Sequence, residues 1–342
     1  MDNECVVSGD SLTNVWRQAL RRVYWHGTDV APRGQRTKEI LAAQLTLTDP
    51  VARIPLIPFR RWSLAYAAGE LAWYLCGSDN LEYIKYYAPS YGQFSDDGAH
   101  LYGAYGPRIF GPCVEDRDEL GQSQQTSPWL KCQRLLRNDP DTRQAVIPIY
   151  APTDVGAKTK DYPCTLALQF LLRDGHLNLI TTMRSNDLWL GTLYDIFCFT
   201  ALQELMAQQL GAYVGEYVHQ VGSLHLYERN WSATERILEY YYGELGDNVS
   251  LTSESFPLRP NAELQLPLRA AWTKSLDAKT AEARLTDRII GRAELNSLEQ
   301  LAETAWLWKR VQLGVETSEA ARRTLEELLR QKLGGVFNFC FH

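Results

Sequence analysis

Two apolar runs, residues 165–172 (TLALQFLL) and 176–183 (HLNLITTM), are separated only by Arg173-Asp174-Gly175. Runs of this composition joined by so short a Gly-containing turn predict a β-hairpin. The rest of the chain has to be arranged around that antiparallel pair. A long apolar helix is predicted over about 196–211, and another strand, YVHQVGSLHLY, over 217–227. Upstream, residues 10–27 read as a helix capped by Ser11 or Asp10, with Leu12, Val15, Trp16, Ala19, Leu20, Val23 and Tyr24 at helical spacing. Residues 62–76 form a nearly all-apolar helix with one acid, Glu70. Residues 112–130 read as a surface excursion, followed by a helix over 130–137, the turn NDPDTR and a strand, AVIPIY. A polar, Pro-containing stretch at 250–268 resembles a linker, and about 278–333 is predicted helical. The expected fold class is α+β with a helical C-terminal addition.

Composition narrows the partners. The chain has 342 residues, 45% hydrophobic and 22% charged, which is globular and not disordered. A net charge of −6 argues against a broad nucleic-acid surface but leaves room for arginines that meet a small anion. No apolar run approaches the ~20 residues of a membrane span, and MDNECVVSGD lacks the pattern of a signal peptide. The seven cysteines are scattered and form no CxxC pair, which points to a reducing cytoplasm and away from a zinc site or a disulfide framework. No metal is expected.

Four places could carry chemistry. Cys164 sits where a loop enters the first hairpin strand. Most free cysteines are small buried hydrophobes, but the second strand runs out into Arg184-Ser185-Asn186-Asp187, so a guanidinium can meet the thiol and favour the thiolate. Those residues also suit a phosphate, or simply form a surface loop. Glu70 should have its pKa raised by its apolar helix, as a general acid/base or as the partner of a structural arginine. Gly191 permits close approach of backbone, and Asp195 stands where an N-cap is the commoner role. His225 and Tyr227 share one strand face, ready for a sugar hydroxyl or for ordinary packing.

Taken together, PCTLALQFLLRDGHLNLITTMRSNDLWLGTLYDI and VGSLHLYERN resemble thymidylate synthase and its pyrimidine hydroxymethylase relatives, over about residues 10–232. The resemblance implies a thymidylate synthase-like fold, a mixed β-sheet packed against helices. It implies a catalytic domain at 1–265, with 266–342 as a helical extension. It implies 5,10-methylenetetrahydrofolate as co-substrate, a pyrimidine nucleoside monophosphate as substrate, and a homodimer with shared sites. Residue by residue, Cys164 matches the nucleophile, and Arg184 the arginine that activates it and holds phosphate. Ser185 matches a further phosphate ligand, and Arg36 in QRT the mobile phosphate arginine. Arg143 in DPDTRQ matches an arginine that reaches the partner subunit's phosphate. Glu70 matches the glutamate of the water network around the base, and Tyr105 in GAYG the tyrosine linked to proton removal. Asp187 matches the folate-contacting aspartate. His225 and Tyr227 match the pair on the ribose 3′-hydroxyl. Gly191 and Tyr91 fall on the folate side.

The departures carry the specificity argument. Asp195 stands where synthases place Asn. An ionised carboxylate repels O4 of uracil but accepts from the N4 amino group of cytosine, and a protonated one donates to N3. Tyr91 in SYGQF replaces the Trp implied to shield the exocyclic-methylene intermediate, and the usual C-terminal closing segment is missing. Gln144, Thr165 and Ser223 replace an Arg, a His and an Asp. A less shielded site favours water over hydride, so the resemblance implies a CMP or dCMP 5-hydroxymethylase. The alternatives are a thymidylate synthase with an atypical lid, a uracil-nucleotide hydroxymethylase, or a binding protein that has lost catalysis.

Overall fold

The protein is described by a computed structural model covering residues 4–244 apart from 56, 61, 113 and 118–122. The expected extension at 266–342, with its helices over 278–333, and the stretch 250–268 lie outside the described residues. The elements run β1 (Val6–Gly9), α1 (Leu12–His26), β2 (Thr28–Val30), β3 (Thr37–Leu47), α2 (Leu64–Leu75), α3 (Leu81–Tyr87), α4 (Tyr105–Phe110), β4 (Val114–Arg117) and β5 (Ser123–Thr126). They continue with α5 (Pro128–Asn138), β6 (Val146–Pro148), β7 (Thr165–Arg173), β8 (His176–Met183), β9 (Asn186–Asp187), α6 (Thr192–Leu210), β10 (Tyr213–Tyr227) and α7 (Trp231–Leu238). The mixed sheet has the order β1-β3-β10-β8-β7-β6, with β2 on β3 and β9 on β10. This is the expected α+β class. The expected excursion at 112–130 contains the β4–β5 hairpin and the start of α5.

Local chemistry explains the elements that hold the site. Asp174 and Gly175 take φ of 49° and 73°, the positive values that let the hairpin turn follow the strand twist. Side chains of Ser11, Ser63 and Ser127 accept from the backbone of α1, α2 and α5 and cap them. Along β8, Leu177, Leu179, Thr181 and Met183 alternate into the core, as do Tyr217, His219 and Val221 of β10. Helix α6 covers that face and also meets α1, α2 and α5, so it is apolar all round. Two of its polar residues make long-range contacts. Gln203 Nε2 donates to the carbonyls of Leu177 and Gly215, beside the point where the β10–β8 register breaks. Glu204 takes Arg53 Nη2 at 2.5 Å, with both side chains buried.

A second irregularity aims the chemistry. Val221 pairs with Ala43 and Ser223 with Leu41, so the ladder passes over Gly222 and Ala42, and Ala42 has φ 53°. On the other side β10 pairs with β8 only as far as Met183, then resumes with Asn186 of β9. The two skipped residues are Arg184 and Ser185. The Arg184 carbonyl accepts from Ser223 N–H at 3.1 Å and would lie 2.8 Å from any Cβ at Gly222. This gap in the pairing leaves Arg184 out of the ladder, where it meets the start of β7.

Glu204→Ala would leave the Arg53 guanidinium buried without its anion. The variant is expected to lose about 3 kcal/mol in urea unfolding, and a loss below about 1 kcal/mol would count the pair as energetically neutral.

Candidate active site

The open ends of the β7–β8 hairpin meet as expected. Arg184 N–H donates to the Cys164 carbonyl at 2.8 Å, and Arg184 Nη2 lies 3.5 Å from Cys164 Sγ. Arg184 Nε is held by the Pro163 carbonyl at 2.9 Å, and Nη1 reaches Ser185 Oγ at 3.3 Å. Ser185 Oγ is also 4.0 Å from the thiol. Cys164 is half-buried and Arg184 exposed, so the cation stands at the mouth with the sulfur beneath it. Arg184 does pull the thiol pKa down, but burial outweighs it, and the negative charges of Asp195 and Asp161 add to the rise. On balance the thiol pKa is raised, not lowered, with Arg184 opposing the rise.

Asp195 is not an N-cap. Helix α6 starts at Thr192 with Gly191 as its cap, and the Asp195 side chain sits one turn in. Its Oδ2 accepts from Asn186 Nδ2 at 2.8 Å. Asn186 Oδ1 in turn meets Thr192 Oγ1 at 2.7 Å and His219 Nε2 at 2.9 Å, and His219 Nδ1 meets Tyr217 OH at 2.8 Å. A Cβ on Gly191 would lie 2.9 Å from Asn186 Nδ2 and 3.1 Å from Asp195 Oδ2. Only glycine leaves that pair intact. Burial pushes the Asp195 pKa up to about 8, with the Glu70 charge adding to it and the Asn186 hydrogen bond opposing.

Glu70 is buried at 5% exposure and, among the described residues, pairs with no arginine. Tyr66 OH donates to its Oε1 at 2.7 Å and Tyr91 OH at 3.2 Å, and Tyr66 and Tyr91 lie 2.6 Å apart. Cys198 Sγ is 3.8 Å from Oε2. Burial raises the Glu70 pKa, and the hydrogen bonds of Tyr66, Tyr91, Tyr74 and Cys198 oppose it. The spacing of Tyr66, Glu70 and Tyr74 is i, i+4, i+8 on α2, a helical-face signal that sequence reading could have used. Tyr105 OH accepts from Thr165 N–H at 3.2 Å, one residue after Cys164, and burial raises its pKa, with the charges of Cys164 and Asp195 adding to the rise.

The remaining expected residues lie along the rim. Asp187 Oδ1 accepts from Trp189 and Leu190 N–H at 2.8 and 3.2 Å, and Oδ2 is 3.8 Å from Arg229. His225 and Tyr227 stack edge-on with centroids 5.2 Å apart. Arg36 is exposed and paired with Glu228 at 2.5 Å. Arg143 stands apart: it is exposed just ahead of the edge strand β6. Sequence reading missed Asn186 as the partner of Asp195. It also missed Arg60, a buried guanidinium between Trp16 and Trp189 whose Nε and Nη1 have no acceptor among the described residues. No His/Cys/Asp/Glu cluster fit for a metal occurs among the described residues. Nor is any described helix long and apolar enough to cross a membrane.

Comparison with known proteins agrees with this arrangement. The family profile described as Thymidylate synthase matches residues 14–245. A deoxyuridylate hydroxymethyltransferase of Bacillus phage SP01 is 33% identical over 276 residues, which is 75% of this chain and 69% of that protein. A protein of the same name from Delftia phage PhiW-14 is 31% identical over 195 residues, 53% of this chain and 51% of its own length.

A carboxyl whose folded pKa lies above its unfolded value favours folding while it is protonated. That contribution is complete below the ordinary carboxylate range and is lost as pH rises towards about 8. Asp195→Asn abolishes the ionisation. Between about pH 5 and pH 8 the variant should lose less stability than wild type, by at least about 1 kcal/mol in urea unfolding. Equal losses in the two proteins would show that Asp195 ionises normally.

Proposed function

The chain belongs to the thymidylate synthase family, enzymes of one-carbon transfer, and we propose that it converts a cytosine nucleotide, CMP or dCMP, to its 5-hydroxymethyl derivative. The observation that carries this reading is Asp195, a carboxyl group that caps no helix, accepts from Asn186 Nδ2 at 2.8 Å and lies within electrostatic reach of Cys164. A protonated Asp195 donates to N3 of cytosine and accepts from its N4 amino group.

Cys164 adds to C6 of the ring once its proton has left. The electron pair of the C5–C6 bond then makes C5 nucleophilic, which divides a hard substitution into easier steps. Methylenetetrahydrofolate supplies the carbon at the oxidation level of formaldehyde. The Arg60 guanidinium, with spare donors beside two indoles, fits a ligand that joins a flat ring to carboxylates. Tyr91 and Asp187 lie on that side. C5 bonds to the carbon that the folate supplies, the water held by Glu70 and Tyr105 takes the C5 proton, and the carbon–nitrogen bond to the folate breaks, releasing tetrahydrofolate and leaving an exocyclic methylene. The hydroxyls of Tyr66 and Tyr91 around Glu70 make a polar wall where synthases have an indole. That wall supports water as the final nucleophile at the exocyclic carbon, forming a C–O bond as the electrons return to expel Cys164. Arg184, Ser185 and Arg36 receive the phosphate, and His225 and Tyr227 the ribose. Residues 1–265 form the catalytic domain. A second copy covers the half-exposed sheet face that carries Leu41, and Arg143 reaches the partner's phosphate.

A uracil nucleotide is the second reading, favoured by the names of the two phage relatives. A neutral Asp195 also donates to O4 and accepts from N3–H, so the rise in its pKa makes this reading chemically sound.

CMP, dCMP, UMP and dUMP assayed side by side with methylenetetrahydrofolate, with mass spectrometry of products, decide between them. A hydroxymethyl-cytosine product with no rise in dihydrofolate absorbance is expected. Dihydrofolate formed in step with product would refute water addition. Turnover of the uracil nucleotides alone would establish the second reading. Asp195→Asn should shift preference towards the uracil ring by roughly tenfold or more.

A further inference from the structure

The side chains behind Asp195 have a direction. Burial pushes the His219 pKa down to about 3, so the ring is neutral. Asn186 Oδ1 is an acceptor 2.9 Å from Nε2, so the single ring hydrogen sits on Nε2 and Nδ1 accepts from Tyr217 O–H at 2.8 Å. Thr192 Oγ1 lies 2.7 Å from the same oxygen. With two donors on Oδ1 the amide is held against turning over, and its Nδ2 faces Asp195 Oδ2. All of Tyr217, His219, Asn186 and Thr192 are buried, so water does not compete for these bonds.

A neutral carboxyl group is a donor beside an acceptor, and the two can exchange places. Cytosine offers an acceptor at N3 and a donor at N4, whereas uracil offers a donor at N3 and an acceptor at O4. An acid free to carry its hydrogen on either oxygen would therefore meet both rings. An N–H aimed at Oδ2 makes that oxygen the acceptor and leaves the hydrogen to Oδ1. Only one of the two ring edges then matches.

We propose that Asn186 is a positioning residue for base selection: by donating to Oδ2 of Asp195 it fixes the polarity of that side chain, which then pairs with one pyrimidine edge and rejects the other. This rests on the reading of Asp195 as the residue that meets the base. Asn186 itself touches no substrate.

The test is competition between a cytosine and a uracil nucleotide of the same sugar for the full-length enzyme in one vessel. The ratio of kcat/KM values obtained this way is independent of how much of a variant is folded. Asn186→Ala should bring the ratio roughly tenfold or more towards unity, because either tautomer of Asp195 becomes available. Thr192→Val, nearly isosteric, removes one donor from Oδ1 and should move the ratio the same way by less. It decides the matter if Asn186→Ala is inactive. A merely structural role would lower turnover of both nucleotides and leave the ratio at the wild-type value, and that result overturns the proposal. If wild type prefers uracil and Asn186→Ala still erodes the preference, the cytosine reading falls and this one stands. If Asp195→Asn leaves the ratio unchanged, Asp195 does not meet the base and both fall.

Discussion

Two carboxyl groups share the inside of one cleft, and among the described residues neither forms an ion pair. The penalty of burial raises the pKa of both, and the Glu70 charge adds to the rise at Asp195. Neutral donors offset that penalty: tyrosine hydroxyls for Glu70 and an amide for Asp195. Neutral donors stabilise an acid without fixing its charge, so Asp195, pushed up to about 8, stays able to exchange a proton. Arginines in their place would have locked both as carboxylates. The family's cations are instead kept at the mouth, where Arg184 lies over the thiol and Arg36 is tied to Glu228.

The same separation explains the nucleophile. A cation 3.5 Å away does not bring the thiol pKa below its ordinary value when the sulfur is desolvated and two acids lie nearby. Arg184 spends most of its donors on the carbonyls of Pro163 and Tyr162 and on Ser185. Protonation of Asp195 removes one of the charges that raise the thiol pKa.

What the sequence makes legible is local. The hairpin of β7 and β8 follows from apolar runs around Asp174-Gly175, and the meeting of Cys164 with Arg184 follows from the hairpin. Helices α1 and α2 follow from their periodicity and their serine caps. The eleven-residue strand β3 (Thr37–Leu47) escapes such reading because TKEILAAQLTL also suits a helix, and only its pairing with β10 decides. Asn186 escapes for a related reason. Next to Asp187 it reads as loop, and its worth comes from Thr192, His219 and Tyr217, which converge on it only in the fold.

The two sides of the cleft differ in how far along the chain they reach. Twenty residues separate Cys164 from Arg184, and nine separate Asn186 from Asp195. Glu70 meets Cys198 across 128 residues and Arg53 meets Glu204 across 151. Closing the short spans costs little chain entropy, and zipping one ladder is enough to bring sulfur and guanidinium together. The acid–tyrosine side forms only when α2 docks on α6. The Cys164–Arg184 and Asn186–Asp195 contacts thus need only local chain closure, whereas Glu70 and its tyrosines reach Cys198 only across the α2–α6 packing.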